Sequence, residues 1–403
     1  MSTPTETRFE KVLGLGVGGG GGRIVRHLAA LRQGDWLQLA HVDCDAAELG
    51  YKAGVLEIPV GREWSQGVGC GGDAVLGQNV LGDELDDIRT LVQKADLIIL
   101  VGSLGGGMAS GGIRLLSRLV RQESRLGLTV VTLPLAAEGS ERNDVARESL
   151  ADLRRHDDVT VCVANDLVFE QLPPETPIKE ALQHVNARVA ETILGLAAVV
   201  RCRDGVCVQY AELRRLLHRR PADCAFGTAV VPGTDQAGAL VDELLAAPLL
   251  GGPAFLQESH VLLAVLTGDP SLSVQQMEQC FSALRDKLNP LTRTVFGAAP
   301  LAESPPGRLG LSVLAIHYEK PLDNVDRHSR SLVHRRETMK LTAPTAAAAE
   351  TGNQGPLGIF VNSTPTMRNG ENLDIPTFLR RHITLEQVRN NVLTADDHAI
   401  DES

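Results

Sequence analysis

Three glycine-rich stretches stand out in the amino-terminal half of the sequence. They are "GVGGGGGRIV", with Gly18, Gly19, Gly20, Gly21 and Gly22 in succession; "GVGCGGDAVLG", with Gly69, Cys70, Gly71 and Gly72; and "GSLGGGMASGG", with Gly105, Gly106 and Gly107. Glycine lets the backbone turn sharply and, lacking a Cβ, lets amide N–H groups approach an anion. Between a strand and a helix, such a run aims those amides and the helix dipole at a phosphate. One run alone is a weak signal, because dinucleotide-binding folds also open on a glycine-rich turn. No Gly-Lys-Ser/Thr closes the first run, which argues against a P-loop. A dinucleotide reading fits it better: "GVGGGG" can be cast as G-x-G-x-x-G, with Asp43 or Asp45 about where a ribose-binding acid is expected. That reading needs only one loop. The other two runs point to several backbone loops gathered around one polyphosphate.

The surrounding pattern positions these loops. From Glu10 to Ala164, apolar runs such as "KVLGLGV", "DLIILVGS" and "LTVVTLPL" alternate with amphipathic stretches such as "IVRHLAALRQ" and "IRLLSRLVRQESRLG". Apolar runs without strict alternation suit strands covered on both faces, so the fold class is α/β with a Rossmann-like, mostly parallel sheet. Ligands on such a sheet bind beyond the carboxyl ends of the strands. A long helix is expected over 177–201, from Ile178, Ala181, Leu182, Val185, Val189, Ile193 and Leu196 at helix-face spacing. A second α+β domain with its own core follows over 224–320, including strands in "HVLLAVLTG" and "LGLSVLAIHYEK" and a helix in "SVQQMEQCFSALRDKL". Residues 1–9 read as a flexible terminus and 321–370 as a disordered linker. Residues 371–403 end the chain with an ordered-looking "LDIPTFLRRH".

Composition narrows the partners. The chain has 403 residues, 43% of them hydrophobic, and a formal net charge of −11. That charge, with aromatic residues at 3%, disfavours nucleic acid. No apolar run approaches the ~20 residues that span a bilayer, so the sequence reads as cytoplasmic, without membrane insertion. The seven cysteines are scattered, and Cys202 and Cys207 lack further ligands for zinc; they read as reduced thiols, several of them buried, with no metal site.

In order and spacing, "GVGGGGGRIV", "HVDCDAAEL", "GVGCGGDAVLG", "DLIILVGSLGGGMASGG", "VVTLPLAAEGSERN" and "VANDLV" resemble the nucleotide-binding loops of the FtsZ/tubulin family. The similarity continues through "APLLGGPAF", "VFGAAPLAE" and "RLGLSVLAIHYE" to "LDIPTFLRRH", so it covers nearly the whole chain. The resemblance implies a GTPase domain over 10–176 that binds GTP or GDP with Mg2+. Gly18 to Gly22 and Gly105 to Gly107 would hold phosphates, with Gly69, Cys70, Gly71 and Gly72 near the γ-phosphate. Asp43, Arg142 and Asn165 fall on the nucleotide site, Glu138 on the ribose acid and Asn186 on the residue that reads the guanine edge.

The departures make this a divergent member. Arg23 stands where the family commonly has asparagine, and an arginine can pair with phosphate but cannot accept from a base. The loop that commonly reads Gly-Gly-Gly-Thr-Gly-Thr-Gly is Gly105, Gly106, Gly107, Met108, Ala109, Ser110, Gly111, so one hydroxyl contact is lost at Met108 and one retained at Ser110. Leu182 replaces a phenylalanine near the base. Weaker or less guanine-strict binding is expected.

Catalysis in the family is completed between subunits, by a loop that carries acids into the next protomer's nucleotide site. The corresponding region, 202–223, contains "GVCVQYAELRRLL", where an asparagine and two acids become Cys207, Gln209 and Glu212. Glu212 retains a carboxylate and is expected to be the main catalytic group, with Gln209 orienting water. Taken alone, Glu212 would read as a solvent-facing acid paired with Arg215.

By the same resemblance the chain polymerises head to tail into a cytokinetic ring at midcell. Asp374, Ile375, Pro376, Phe378, Leu379 and Arg380 would bind membrane-tethering division proteins. Two other readings stay open: a nucleotide-binding, polymerising scaffold with little or no hydrolysis, and a nicotinamide-dependent oxidoreductase resting on the first glycine run alone.

Overall fold

The computed structural model describes residues 11–318 apart from 33, 51–52, 157–158, 205, 218–221, 234–236 and 303, together with 367–368 and 371–372. The first half runs β1 (Val12–Val17), α1 (Gly18–Leu31), β2 (Leu37–Asp43), β3 (Leu56–Pro59), α2 (Arg62–Ser65), α3 (Ala74–Gly82), α4 (Leu85–Gln93), β4 (Leu97–Ser103), α5 (Gly107–Gln122), β5 (Leu126–Leu133), α6 (Ser140–His156), β6 (Thr160–Ala164), α7 (Asn165–Phe169) and α8 (Ile178–Ala197). The second runs α9 (Tyr210–Leu216), β7 (Ala222–Pro232), α10 (Ala237–Leu245), α11 (Gly252–Glu258), β8 (Val261–Gly268), α12 (Val274–Arg285), β9 (Arg293–Pro300) and β10 (Arg308–Tyr318). A short hairpin, β11 (Met367–Arg368) with β12 (Glu371–Asn372), lies in a separate unit, 330–403.

All six residues of β1 are buried because the sheet is covered on both faces. Val12 packs with Ile24, Val25 and Leu28 of α1, together with Leu37, Leu39, Ile99 and Val101, on one side. Leu13, Leu15 and Val17 pack with Ile98, Leu100, Ile113 and Leu116 on the other. Alternate residues of a strand thus enter different cores, which explains why β1 and β4 read as continuous apolar runs.

The ten strands form one sheet in the order β3-β2-β1-β4-β5-β6-β7-β10-β8-β9. The first six are parallel, whereas β10 runs antiparallel to both β7 and β8. The two halves join at one registered pair, Val161 opposite Cys224. The second half has its own core around Leu240, Leu244, Leu266 and Leu284. It also shares the core of the first, because Val185, Val189 and Ile193 of α8 pack in one cluster with Leu263 and Leu314. The expected strands and helix of 224–320 are present as β8, β10 and α12. Among the described residues no single helix is long and apolar enough to cross a membrane. The linker over 321–370, apart from β11, and the peptide from Asp374 to Arg380 lie outside the described residues.

Candidate functional site

α1 begins at Gly18, directly after β1, so the five glycines form the first turn of a helix rather than a loop before it. Gly18 alone among them adopts the left-handed region, at φ 70°. The first turn of any helix leaves backbone N–H groups without intrahelical partners. Val17, the residue preceding α1, provides no side-chain cap, and neither does Gly106 before α5. These two uncapped ends meet: a Cβ added to Gly18 would lie 3.3 Å from Ala109 N and 3.6 Å from Met108 Cβ. Two positive dipole ends therefore converge where β1 and β4 finish, an arrangement that suits an anion.

The glycines divide by what surrounds them. An added Cβ would strike the Ser103 hydroxyl at Gly20, the Val101 carbonyl at Gly21, the His41 ring at Gly22 and the Ala74 carbonyl at Gly111. At Gly19 it would fall 2.6 Å from Glu48 Cδ. Those positions are glycine because a strand, a helix or a side chain presses on them. Gly106, Gly71 and Gly72 instead face open space, with nothing within 4 Å of an added Cβ. Gly69, Gly71 and Gly72 are all left-handed, at φ 84°, 55° and 92°, which keeps their loop turned toward the end of β2.

Several expected contacts are placed elsewhere. Met108, Ala109, Ser110 and Gly111 are buried in the first turns of α5. The Ser110 hydroxyl accepts from Gly105 N at 2.9 Å, so it shapes the loop instead of facing a ligand. Asp43 is buried, and its Oδ1 accepts from Cys44 N at 2.7 Å and Asp45 N at 3.1 Å. It fixes the turn after β2 and is not presented as a ribose acid. Arg23, expected near phosphate, is paired with Glu48 at 3.0 Å. Cys70 is buried beside Cys44.

On the other flank, Glu138 Oε1 accepts from Leu135 N at 2.8 Å and Oε2 meets Arg142 Nη1 at 2.7 Å. The stem of Arg142 lies over Gly105, 2.8 Å from where its Cβ would be. Asn165 opens α7 at the end of β6, buried, with Oδ1 lacking a hydrogen-bond partner. Asn186 is half-buried on α8, which packs against α1, while Leu182 is exposed one turn earlier.

Beneath the first glycines lies an ionisable cluster that the sequence did not reveal. His41 Nδ1 lies 2.6 Å from Glu57 Oε2, and Nε2 lies 3.2 Å from the Gly18 carbonyl and 3.7 Å from Asp43 Oδ2. Each ring nitrogen faces an acceptor, and Arg26 Nη2, a donor, also lies 3.4 Å from Nδ1. Burial lowers the His41 pKa, but hydrogen bonds and attraction from Asp43 and Glu57 outweigh it and raise it overall. The signal was present as a lone histidine within the apolar "LQLAHVD", but only the register of β2 with β3 sets His41 opposite Glu57.

Gln209 and Glu212 lie toward the opposite end of the strands. The glycine turns follow the carboxyl ends of β1 and β4, whereas α8 carries the chain back across 20 residues, on the order of 30 Å. Gln209 then precedes α9, and Leu213 and Leu217 gather with Leu97, the first residue of β4. Gln209 is exposed and Glu212 half-buried. In one chain the converging starts of α1 and α5 and the Glu212 carboxylate therefore lie toward opposite ends of the strands.

Residues 11–173 match the Tubulin/FtsZ family GTPase domain. The cell division protein FtsZ of Coxiella burnetii is 24% identical over 383 residues, covering 91% of this chain and 95% of its own length. That of Methanothermobacter thermautotrophicus is 25% identical over 293 residues, 73% of this chain and 76% of its own. Among solved structures, an empty FtsZ dimer from M. jannaschii superimposes with a TM-score of 0.68 at 21% identity, over 78% of this chain and 94% of that one. The GDP-bound CetZ1 monomer of Haloferax volcanii gives a TM-score of 0.64 at 19% identity, over 81% and 99%. The chain is thus FtsZ-like: its residues 11–173 match the GTPase domain of the Tubulin/FtsZ family, and it is similar to FtsZ proteins over most of its length.

Proposed function

We propose that the chain binds GTP at the converging ends of α1 and α5 and assembles head to tail, so that Glu212 of one copy completes the site of the next. The observation that carries this reading is the separation of Glu212 from the anion cradle by the length of α8. The first-turn amides of Gly18 to Gly22, the open backbone at Gly106 and the loop of Gly69, Gly71 and Gly72 hold the phosphates. Glu138 takes the ribose, and Arg142, now paired with it, moves onto phosphate when the nucleotide binds. Asn165 and Asn186 face the base side. Phosphoryl transfer to water is mostly a matter of positioning and charge stabilisation, so an inserted carboxylate and amide that orient water supply what the cradle lacks. Mg2+ accompanies the nucleotide and neutralises its phosphates.

Filaments formed this way act in the cytoplasm as the ring of the division site. Asp374, Ile375, Pro376, Phe378, Leu379 and Arg380 dock on membrane-tethering partners, with Phe378 and Leu379 as apolar anchors. Pelleting after GTP addition, with phosphate release followed in the same sample, tests this. Assembly with release supports it, and neither with saturating GTP sinks it. Assembly without release favours the non-hydrolysing scaffold, which the uncharged Gln209 and Cys207 in place of polar or acidic family residues also favour.

A further inference from the structure

Two thiols meet in the wall of the nucleotide site. Cys44 follows β2 and Cys70 lies in the loop before α3; their Sγ atoms are 3.0 Å apart, and the residues are 3% and 7% exposed. Backbone contacts lead the loop there: Asp45 bridges Val68, and Ala46 N donates to the Gly67 carbonyl at 3.0 Å. On its other side Cys70 backs onto the start of α5, since a Cβ added to Gly107 would fall 2.6 Å from Cys70 Cβ. Cys70 is thus clamped between β2 and the anion-binding end of α5. A bonded pair of sulfurs is ~2.05 Å apart, so about 1 Å of closure is needed, within a loop of three left-handed glycines.

The two sulfurs are unequal. The hydrogen bond shared by the two sulfurs lowers the Cys70 pKa and raises that of Cys44; burial and the Asp43 carboxylate oppose ionisation of both, and Asp73 adds to this at Cys70. The thiolate is the reactive form, and Cys70 is also the more exposed of the two. Burial pushes the thiols of Cys162, Cys224 and Cys280 up to about 11, 12 and 12.

We propose that Cys44 and Cys70 are a dithiol modification site, which peroxide converts to an intramolecular disulfide that ties the Gly69–Gly72 loop to the end of β2. The Cys70 thiolate attacks one peroxide oxygen and the O–O bond breaks. Cys70 becomes a sulfenic acid, and the departing hydroxide leaves as water with the proton that Cys70 gave up. Cys44 sulfur then attacks Cys70 sulfur, the S–O bond breaks, and the sulfenic hydroxyl leaves as a second water with the Cys44 proton. Two thiols and one peroxide yield one disulfide and two waters. The pinned loop no longer closes on the terminal phosphate, so GTP turnover falls; this consequence rests on the GTPase reading, whereas the crosslink does not.

The test is peptide mapping of the full chain after treatment with hydrogen peroxide, with phosphate release measured before and after reduction by dithiothreitol. The expected result is one linked peptide pair containing Cys44 and Cys70, a severalfold loss of release, and recovery on reduction. In Cys44→Ser the link is absent and Cys70 runs on to sulfinic acid, which dithiothreitol does not reverse. Cys44 and Cys70 that both remain alkylatable in the wild-type chain, or that pair with other cysteines, overturn the proposal whether or not the variant folds. A Cys44–Cys70 link with unchanged phosphate release overturns the coupling to the nucleotide site.

Discussion

Arg23 Nη1 lies 3.0 Å from Glu48 Oε1, so the cation that departs from the family pattern is held by a carboxylate beside the first glycine turn. Both side chains are partly exposed, and such a pair contributes only about 0–1 kcal/mol to stability. An effect on binding is expected instead, because Glu48 places negative charge next to Gly19 and pairs with the guanidinium. Glu48→Gln is expected to unfold within about 1 kcal/mol of wild type. It should bind GTP severalfold more tightly at low ionic strength, with the gain fading as salt is added. Equilibrium titration with a fluorescent GTP analogue checks this; equal or weaker binding contradicts it.

His41 sets a pH dependence of stability. Its folded pKa is raised above the ordinary 6.5, because Asp43 and Glu57 outweigh the cost of burial. Its contribution is therefore complete below the unfolded value and is lost as pH rises through the folded one. Urea unfolding of the nucleotide-free chain should show stability falling over that window, and His41→Gln should be less stable below it with a flatter profile. A variant whose pH profile parallels wild type contradicts the assignment. Because Nε2 also contacts the Gly18 carbonyl, the same variant should weaken GTP binding.

Gly21 and Gly106 separate the two uses of glycine. In Gly21→Ala the new methyl meets the Val101 carbonyl, an overpacking that costs about 1–3 kcal/mol in the unfolding free energy. In Gly106→Ala the methyl enters open space at φ −99°, so stability should stay within ~0.5 kcal/mol while GTP affinity drops about tenfold. The reverse ranking in urea unfolding and nucleotide titration would show that the cradle lies elsewhere.

The alternation of apolar runs with amphipathic stretches made the parallel sheet and its helices readable, and Val185, Val189 and Ile193 marked α8 through their spacing. The first glycine run read as a turn between strand and helix, whereas it opens α1 itself. Glycine is a poor helix former, and the packing of Gly21 and Gly22 on β4 and β2 overrides that preference. Ser110 read as a ligand contact through the resemblance of its loop to the family's; that its hydroxyl turns inward to Gly105 depends on where α5 begins. The His41, Asp43 and Glu57 cluster and the Cys44–Cys70 contact depend on strand register and on a loop folding back, which no local pattern specifies. The continuity of the sheet rests on one residue pair, Val161 with Cys224, and had no sequence signal of its own.

The central claim, that the site is completed by a neighbouring copy, is tested by mixing two defective chains. Glu212→Ala keeps the cradle and lacks the carboxylate; Gly106→Asp keeps Glu212 and sets a negative charge in the cradle. Each alone should release little phosphate from GTP, and an equal mixture should release clearly more than the sum of the two. Release that stays at the sum, with both variants recovered in the same pelleted polymer, would contradict the account.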